Sequence, residues 1–588
     1  EISTDVHPIA RLMSVAEKQF NTMLKDETHS LDAAAERYRK KRRRHPPPGF
    51  DAWYHYAVEQ GAVVIEEFWD QIYDDLAPFW SIEPLLLRKQ THAFTPKISI
   101  RDGKLETHTK NMDPKLDLWA DMLRTLASHP HVRLPNMDIP FNVNDQSVML
   151  VPWEIVDSAL SLARPMMPDA VDVISEYSGL EDIDKLRADV AFDPEWIGFQ
   201  PTSPNSQFQS QPLWSLIRPA CPPQSLARTT PVFNDIWIDG DAREDHSATA
   251  LLPMELPEGS LKGYLANWTK ATDACEQPNL QGLHGAFLAP SQMNLTMKLF
   301  PLFGDTKFSM GNEILVPGAS EWNKTPSTSE PSDISWDERE CKLFWRGSAG
   351  HALARYWQHS HRHRFVSMLN ATHVEIAEAS IHSGNESTVG VGYAKTFRLL
   401  PANEYHLKSQ TSGHLAEWVN EWANAAFTGS HCDDGVEEKG CVYLDEYFSI
   451  AEPSPTEHDG AFKYAAVIDG GSGDNRGDFI QNMNSGKVTL RATIRRSWYG
   501  SRLIPWLHFV PVDNTFVDLY GIMEYFVGTN INEEAKDFPH AVGEASKDWA
   551  GKVLRREDML VYVFRLLLEY ARIADDKRDR LGWVSDLV

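Results

Sequence analysis

Residues 8–45 read as helix, stopped by the run Pro46-Pro47-Pro48-Gly49. Segments 51–90 and 112–128 carry an amphipathic helical pattern. From Val132 the texture changes to short strands and turns, as in HVRLPNMDIPFNVNDQ, TTPVFNDIWIDGD and GNEILVPGAS. Such strands alternate with helical stretches at 154–164, 351–370, 412–427, 476–485 and 515–527, which predicts an α/β architecture. A polar stretch rich in Pro, Ser and Thr, Asn323–Glu338, marks a boundary between two α/β halves that face each other across a cleft. The closing segment Asp558–Ile573 is a helix pattern rich in Leu, Val, Tyr and Phe, able to pack back across both halves.

Three places in this pattern can carry chemistry. The apolar run Leu343, Phe344, Trp345 reads as a buried strand that opens into Arg346-Gly347-Ser348-Ala349-Gly350, with a helix expected near His351. Glycines let backbone amides approach a ligand closely, and a helix start favours phosphate. Arg346 there suits an anion, with charge-assisted hydrogen bonds worth about 1.5–3 kcal/mol each. The plainer reading is a structural arginine in a tight turn. No Gly-Lys-Ser/Thr follows, so this is not a P-loop.

The second place is FKYAAVIDGGSGDNRGDF, Phe462–Phe479. It repeats the same logic: a short buried strand Ala465–Ile468, a turn at Asp469-Gly470-Gly471, and Arg476 near a helix start. Its GGSGD is not the Gly-X-Ser-X-Gly of a serine hydrolase. The third is FNVNDQ, Phe141–Gln146, a strand ending in Asp145. A carboxylate so placed can act as a general base, or simply cap a turn.

Charge sharpens the picture. The 588-residue chain, long enough for two to four domains, carries a formal net charge of -26, which repels nucleic acid and anionic membrane. Two windows hold no Asp or Glu: Lys342–Val374, with Lys342, Arg346, Arg355, Arg362, Arg364 and five histidines, and Phe479–Val512, with Lys487, Arg491, Arg495, Arg496 and Arg502. They point to a local anion site in an acidic protein. The cationic stretch Arg37–His45 reads as a solvated stem or linker. In HSHRH, His359 and His363 stand at metal-ligand spacing, but the arginines and missing carboxylates favour a basic helix face. Asp239-Gly240-Asp241 has a form that can hold a divalent metal and is equally a common turn.

Five cysteines exclude a disulfide scaffold. Cys432 and Cys441 can close a small loop, Cys221 and Cys275 can pair, and Cys341 is then free. Asn-X-Ser/Thr sequons at Asn267, Asn294, Asn323, Asn370 and Asn385 lean towards a secretory compartment. No apolar run reaches 18 residues and no signal peptide is visible; the chain begins at Glu1, as a processed or truncated form would.

The ordered set RHPPPGFDAWYHYA, CEQPNLQGLHGAF, FWRGSAGH, HRHRFV, FKYAAVIDGG, SGKVTLRAT and PWLHFVPV resembles glycosyltransferase family 90, over roughly Arg44 to Phe526. That family includes fungal capsule-type β-xylosyltransferases and Rumi-type protein O-glucosyltransferases. The resemblance implies a GT-B fold of two Rossmann-like domains and a helical N-terminal stem. It divides the chain into a stem (1–95), an acceptor-side domain (96–335), a UDP-sugar domain (336–540) and C-terminal helices packing back on the N-terminal domain (541–588). It implies inverting transfer, most readily of xylose in β linkage, from a UDP-sugar to a hydroxyl of a mannan- or galactan-like glycan, with no obligatory cofactor and no divalent metal. The other readings are a protein O-glucosyl- or xylosyltransferase and a non-catalytic nucleotide- or glycan-binding member. By resemblance Asp145 is the catalytic base, Arg346 and Ser348 lie at the nucleotide site beside Gly347, and Arg476 is the second diphosphate arginine. Asp469, Gly470 and Arg491 belong to the same expected UDP-sugar site. The family also suggests a Golgi membrane anchor preceding this chain. Two departures, Gly473-Asp474 before the second arginine and Ser497 before the Trp-Tyr pair, bear on the donor sugar.

Overall fold

The computed structural model describes residues 6–163, 165–179, 192–199, 213–233, 247–288, 293–325, 334–349, 354–383, 396–428, 447–448, 450–452, 460–470, 476–529 and 537–587. The helices that matter here are α1 (Pro8–Leu24), α2 (Leu31–Arg42), α3 (Pro114–Ala127), α4 (His361–Met368), α5 (Arg476–Asn484) and α6 (Arg556–Ile573). The strands are β1 (Lys97–Arg101), β2 (Lys104–His108), β3 (Met137–Pro140), β4 (Lys307–Phe308), β5 (Glu340–Gly347), β6 (Ala423–Phe427), β7 (Phe462–Ile468), β8 (Val488–Ala492), β9 (Arg495–Arg496) and β10 (Val510–Pro511).

The protein is mixed α/β. Its main sheet is five-stranded and wholly parallel, in the order β6-β5-β7-β8-β10. In chain order that is 2-1-3-4-5, a doubly wound pattern in which the connections leave β5 and β7 in opposite directions. Successive side chains alternate across the sheet: Tyr464, Ala466 and Ile468 join a core with Trp345, Phe365 and α1, while Val467 packs with Phe479, Ile480 and Met483 of α5. The expected second Rossmann-like sheet is not found among the described residues. The earlier half instead carries a three-stranded antiparallel sheet, β2-β1-β3, with Lys97 opposite Pro140 and Ile98 opposite Ile139. The halves also share backbone: β9 pairs antiparallel with β4, Arg495 opposite Phe308.

The chain entering this fold is not a free stem. The continuous helix expected over 8–45 is broken after Leu24, and α2 restarts at Ser30, whose hydroxyl accepts from Ala33 N. Helix α1 buries Ile9, Leu12 and Ala16 in the core of the parallel sheet, while α2 buries Ala34, Ala35 and Tyr38 against the core containing α6. The basic run that reads as solvated is paired instead: Lys41 with Glu67 and Asp70, Arg42 with Glu66, Arg39 with Asp586. Arg44 stacks 3.5 Å over Trp80.

Other boundaries moved for physical reasons. The helix expected over 412–427 ends at Trp422, and Ala423–Phe427 is strand β6. Pairing with β5 overrides the helix propensity of its alanines. The stretch 51–90 is several short helices, among them Phe50–Glu59, Asp70–Leu76 and Pro84–Ala93. Helix α6 begins at Arg556 and is buried on every face from Asp558 on, because it runs through the core beneath β3 rather than over a surface.

Candidate functional site

In an open parallel sheet, ligands bind where neighbouring strands send their connections to opposite sides, leaving a crevice at their carboxyl ends. Here that point lies between β5 and β7, so it brings Gly347 and Ser348 beside Asp469 and Gly470. Arg362 of α4 joins the two strand ends. Its Nη1 donates to the carbonyl and hydroxyl of Ser348, at 2.7 and 3.0 Å, and its Nε donates to the Asp469 carbonyl at 3.0 Å. A Cβ on residue 470 would overlap Arg362 Nη2, so only glycine lets the guanidinium lie there. The Asp469 carboxylate is used by its own chain, accepting from Thr493 Oγ1 at 2.6 Å and Ile494 N at 2.8 Å.

The histidines behind this junction are neutral. His361 Nδ1 accepts from Gly285 N at 3.0 Å, which leaves Nε2–H to donate to the Asp469 carbonyl at 2.8 Å. Burial first, then His284 and Arg362, hold His361 well below the usual histidine range. His284 stacks on it at 3.8 Å and 11°, and burial with Arg495, Arg364 and Arg362 pushes it down in the same way. Its Nε2 stands 3.7 Å from Asp469 Oδ2.

HSHRH is therefore not an exposed basic face. Every residue of α4 is buried. His359 Nδ1 meets the Gly282 carbonyl at 2.8 Å, and Arg364 donates to the carbonyls of Thr396, Leu283 and His359. Burial lowers His363 to about 3, among Phe427 and Phe448. Buried cations here organise backbone carbonyls, an arrangement that local charge counting cannot see. No group of three or more His, Cys, Asp or Glu side chains that could hold a metal occurs among the described residues. Asp239 and Asp241 lie outside them.

Asp145 is not at a strand end. Strand β3 stops at Pro140, Phe141 continues only as a bridge to Phe303, and Asp145 follows in a bend. Asn142, nearly fully buried, shapes that bend: its amide donates to the Gln146 carbonyl at 2.8 Å, and its oxygen accepts from Asn144 N at 3.0 Å. The Asp145 carboxylate, 29% exposed, accepts from Lys115 Nζ at 2.8 Å. Its carbonyl accepts from Arg495 Nη1 at 2.8 Å, and Arg495 Nη2 donates to the Gly470 carbonyl at 3.0 Å. The Asp145 bend and the Asp469-Gly470 turn thus share one guanidinium.

The remaining expected residues are placed differently. Arg346 lies within β5 and clamps the neighbouring strand, donating to Trp345 O and to both Asn424 oxygens at 2.8–2.9 Å. Gly347 is needed because a Cβ there would stand 2.8 Å from the Trp345 ring. Arg491 projects from β8 into an aromatic cage, 4.2 Å over Phe479 and 5.4 Å over Tyr499, and donates to Ser497 at 3.3 Å. Arg476 opens α5, but its side chain lies outside the described part.

Of the residues that meet here, Arg362 and Arg495 were named only as cations of the acid-free windows, and His361, His284 and Lys115 were not singled out. The acid-free windows contain three of them and LHG contains His284; nothing around Lys115 flags it. Cys221 and Cys275 form a buried disulfide, with Cα atoms 5.6 Å apart; Cys341 is free and exposed, and Cys432 and Cys441 lie outside the described residues. Asn267, Asn294 and Asn323 are exposed, Asn370 is half-buried, and Asn385 lies outside the described residues. No described helix is long and apolar enough to cross a membrane. Neither a scan against protein-family models nor a search of curated proteins gives a match to this chain.

Proposed function

We propose that this chain is an inverting glycosyltransferase that moves a sugar, xylose first among the candidates, from a UDP-sugar to a hydroxyl of a glycan. The observation that carries the reading is the double hydrogen bond of Arg495 to Asp145 and Gly470. It sets a carboxylate from the earlier half beside the carboxyl-end crevice of a doubly wound sheet, where nucleotides bind in such sheets. In-line displacement at an anomeric carbon needs a base for the acceptor hydroxyl and positive charge for the departing diphosphate. Asp145 supplies the first; Arg362 and Arg495, with Arg476 at the start of α5, supply the second. Arg346 then acts by holding β5 and β6 in register rather than by touching the diphosphate.

The arrangement we propose is GT-B-like, with residues 96–335 on the acceptor side and 336–540 on the UDP-sugar side. The antiparallel β1–β3 sheet makes the acceptor side a reduced version of that plan, and the β4–β9 pairing keeps the two sides from hinging freely at this point. A secretory, Golgi-type setting is supported by the Cys221–Cys275 disulfide and the exposed sequons at Asn267, Asn294 and Asn323.

The test is binding and turnover of UDP-xylose, UDP-glucose, UDP-galactose and UDP-glucuronic acid, with and without EDTA, using mannosides and galactosides as acceptors. A preference for one UDP-sugar that survives EDTA is the expected result. Failure to bind any of the four removes the reading; activity lost with EDTA replaces it with a metal-dependent transferase.

A further inference from the structure

Lys115 is the second residue of α3, held there by Pro114 and by Asp113, whose carboxylate accepts from Lys115 N and Leu116 N. One turn on, Trp119 is buried and stacks on Phe141 at 4.6 Å and 21°. That stack fixes the start of α3 against the segment leading into the Asp145 bend. The ammonium is shared between two carboxylates: 2.8 Å from Asp145 Oδ1 and 3.3 Å from Asp305 Oδ2. Asp145 is 29% exposed, whereas Asp305 is 3% exposed.

We infer that Lys115 is a positioning residue for Asp145, aiming its carboxylate at the acceptor hydroxyl and returning to Asp305 when that carboxylate is neutralised. The inference rests on the glycosyltransferase reading. In the step, the acceptor oxygen attacks the anomeric carbon, its proton passes to Asp145, and the bond from that carbon to the diphosphate oxygen breaks with its electron pair leaving on UDP. Asp145 thereby loses its charge, and a lysine with no other partner would be left uncompensated in a half-buried position. Asp305 keeps it paired throughout. Among the described residues, charged groups that face the Asp145 bend include Lys115 from α3, Asp305 from the turn before β4, and Arg495 from β9.

The experiment measures UDP-xylose turnover, with water or methyl α-mannoside as acceptor, across pH for wild type, K115M, K115R, D305N and D145N. D145N is expected to lose about 10²–10⁴-fold in kcat, the usual range for a general base. K115M is expected to lose on the order of tenfold in kcat, one charge-assisted bond's worth and below that range, with an unchanged KM for UDP-xylose and the acidic limb of its profile moved to higher pH. K115R recovers most of the rate. D305N moves the acidic limb the other way, because Asp145 then holds the ammonium alone. If K115M fails to fold, a D305N acidic limb moved to lower pH beside a K115R profile close to wild type carries the test. An inactive D145N beside a K115M with wild-type kcat and pH profile overturns this inference alone. An active D145N overturns the assignment of the base and this inference with it.

Discussion

Arg495 and Asp145 are 350 residues apart in sequence, yet the guanidinium of the first donates to the carbonyl of the second at 2.8 Å. The same guanidinium holds the Gly470 carbonyl, so one side chain fixes the spacing between the carboxylate bend and the strand-end turn. Charge-assisted bonds of this kind are worth about 1.5–3 kcal/mol each.

Removing that brace is expected to separate the two parts of the site. R495M should lower UDP-sugar turnover by at least about tenfold, one such bond's worth, while R495K, which cannot span both carbonyls in the planar fork, recovers only part. Steady-state kinetics of both variants beside their melting temperatures checks this. Wild-type turnover in R495M would show that the brace is idle.

Gly470 and Arg362 should behave as a coupled pair. The overlap of a Cβ with Arg362 Nη2 predicts that G470A displaces the guanidinium from Ser348 and Asp469, at about 1–3 kcal/mol for overpacking. In a double-mutant cycle with R362A, the second substitution should cost much less than it does alone. Denaturant midpoints and UDP affinity give the two readouts, and strict additivity in both would remove the coupling.

The buried histidines predict an acid-sensitive fold. His363 and His508 are lowered by burial to about 3, and His373 to about 4, from 6.5. A depressed histidine stays neutral in the fold while the unfolded chain takes its proton near 6.5. Stability is therefore full above 6.5 and falls as pH drops from there towards 3, by about 1.4 kcal/mol per unit per group. Urea midpoints at pH 7 and pH 5 should differ markedly in wild type and less in H363F, whose ring fits the Phe427 and Phe448 surroundings. An H363F slope equal to wild type would rule this histidine out as a contributor.

The Cys221–Cys275 disulfide closes a separation of 54 residues around the cluster containing Trp214, Ile217 and Phe287. Its removal in a C221S/C275S double variant is expected to cost about 2–5 kcal/mol, read as a lower melting temperature. Cys341, exposed, should be labelled by a thiol reagent in the native wild-type protein, and the other two should not.

Elements whose signals are local can be read along the chain before it folds. The apolar run Leu343–Trp345 had to be a strand because nothing polar interrupts it. The glycines at the ends of β5 and β7 marked strand ends that approach something closely, and the acid-free windows held two cations of the site, Arg362 and Arg495. The tertiary structure alone decided where those cations point. Arg346 and Arg362 sit in the same window with the same local appeal, but strand alternation turns Arg346 onto Asn424, while α4 aims Arg362 at Ser348 and Asp469. Lys115 and Arg495 became partners of Asp145 only through contacts over 30 and 350 residues. The basic run at 37–45 looked solvated because its acidic partners, Glu66, Glu67, Asp70 and Asp586, are non-neighbours that only folding delivers. Periodicity and turn chemistry act within a few residues, so they fix elements; pairing of buried charge acts across the chain, so it is settled only when the elements pack.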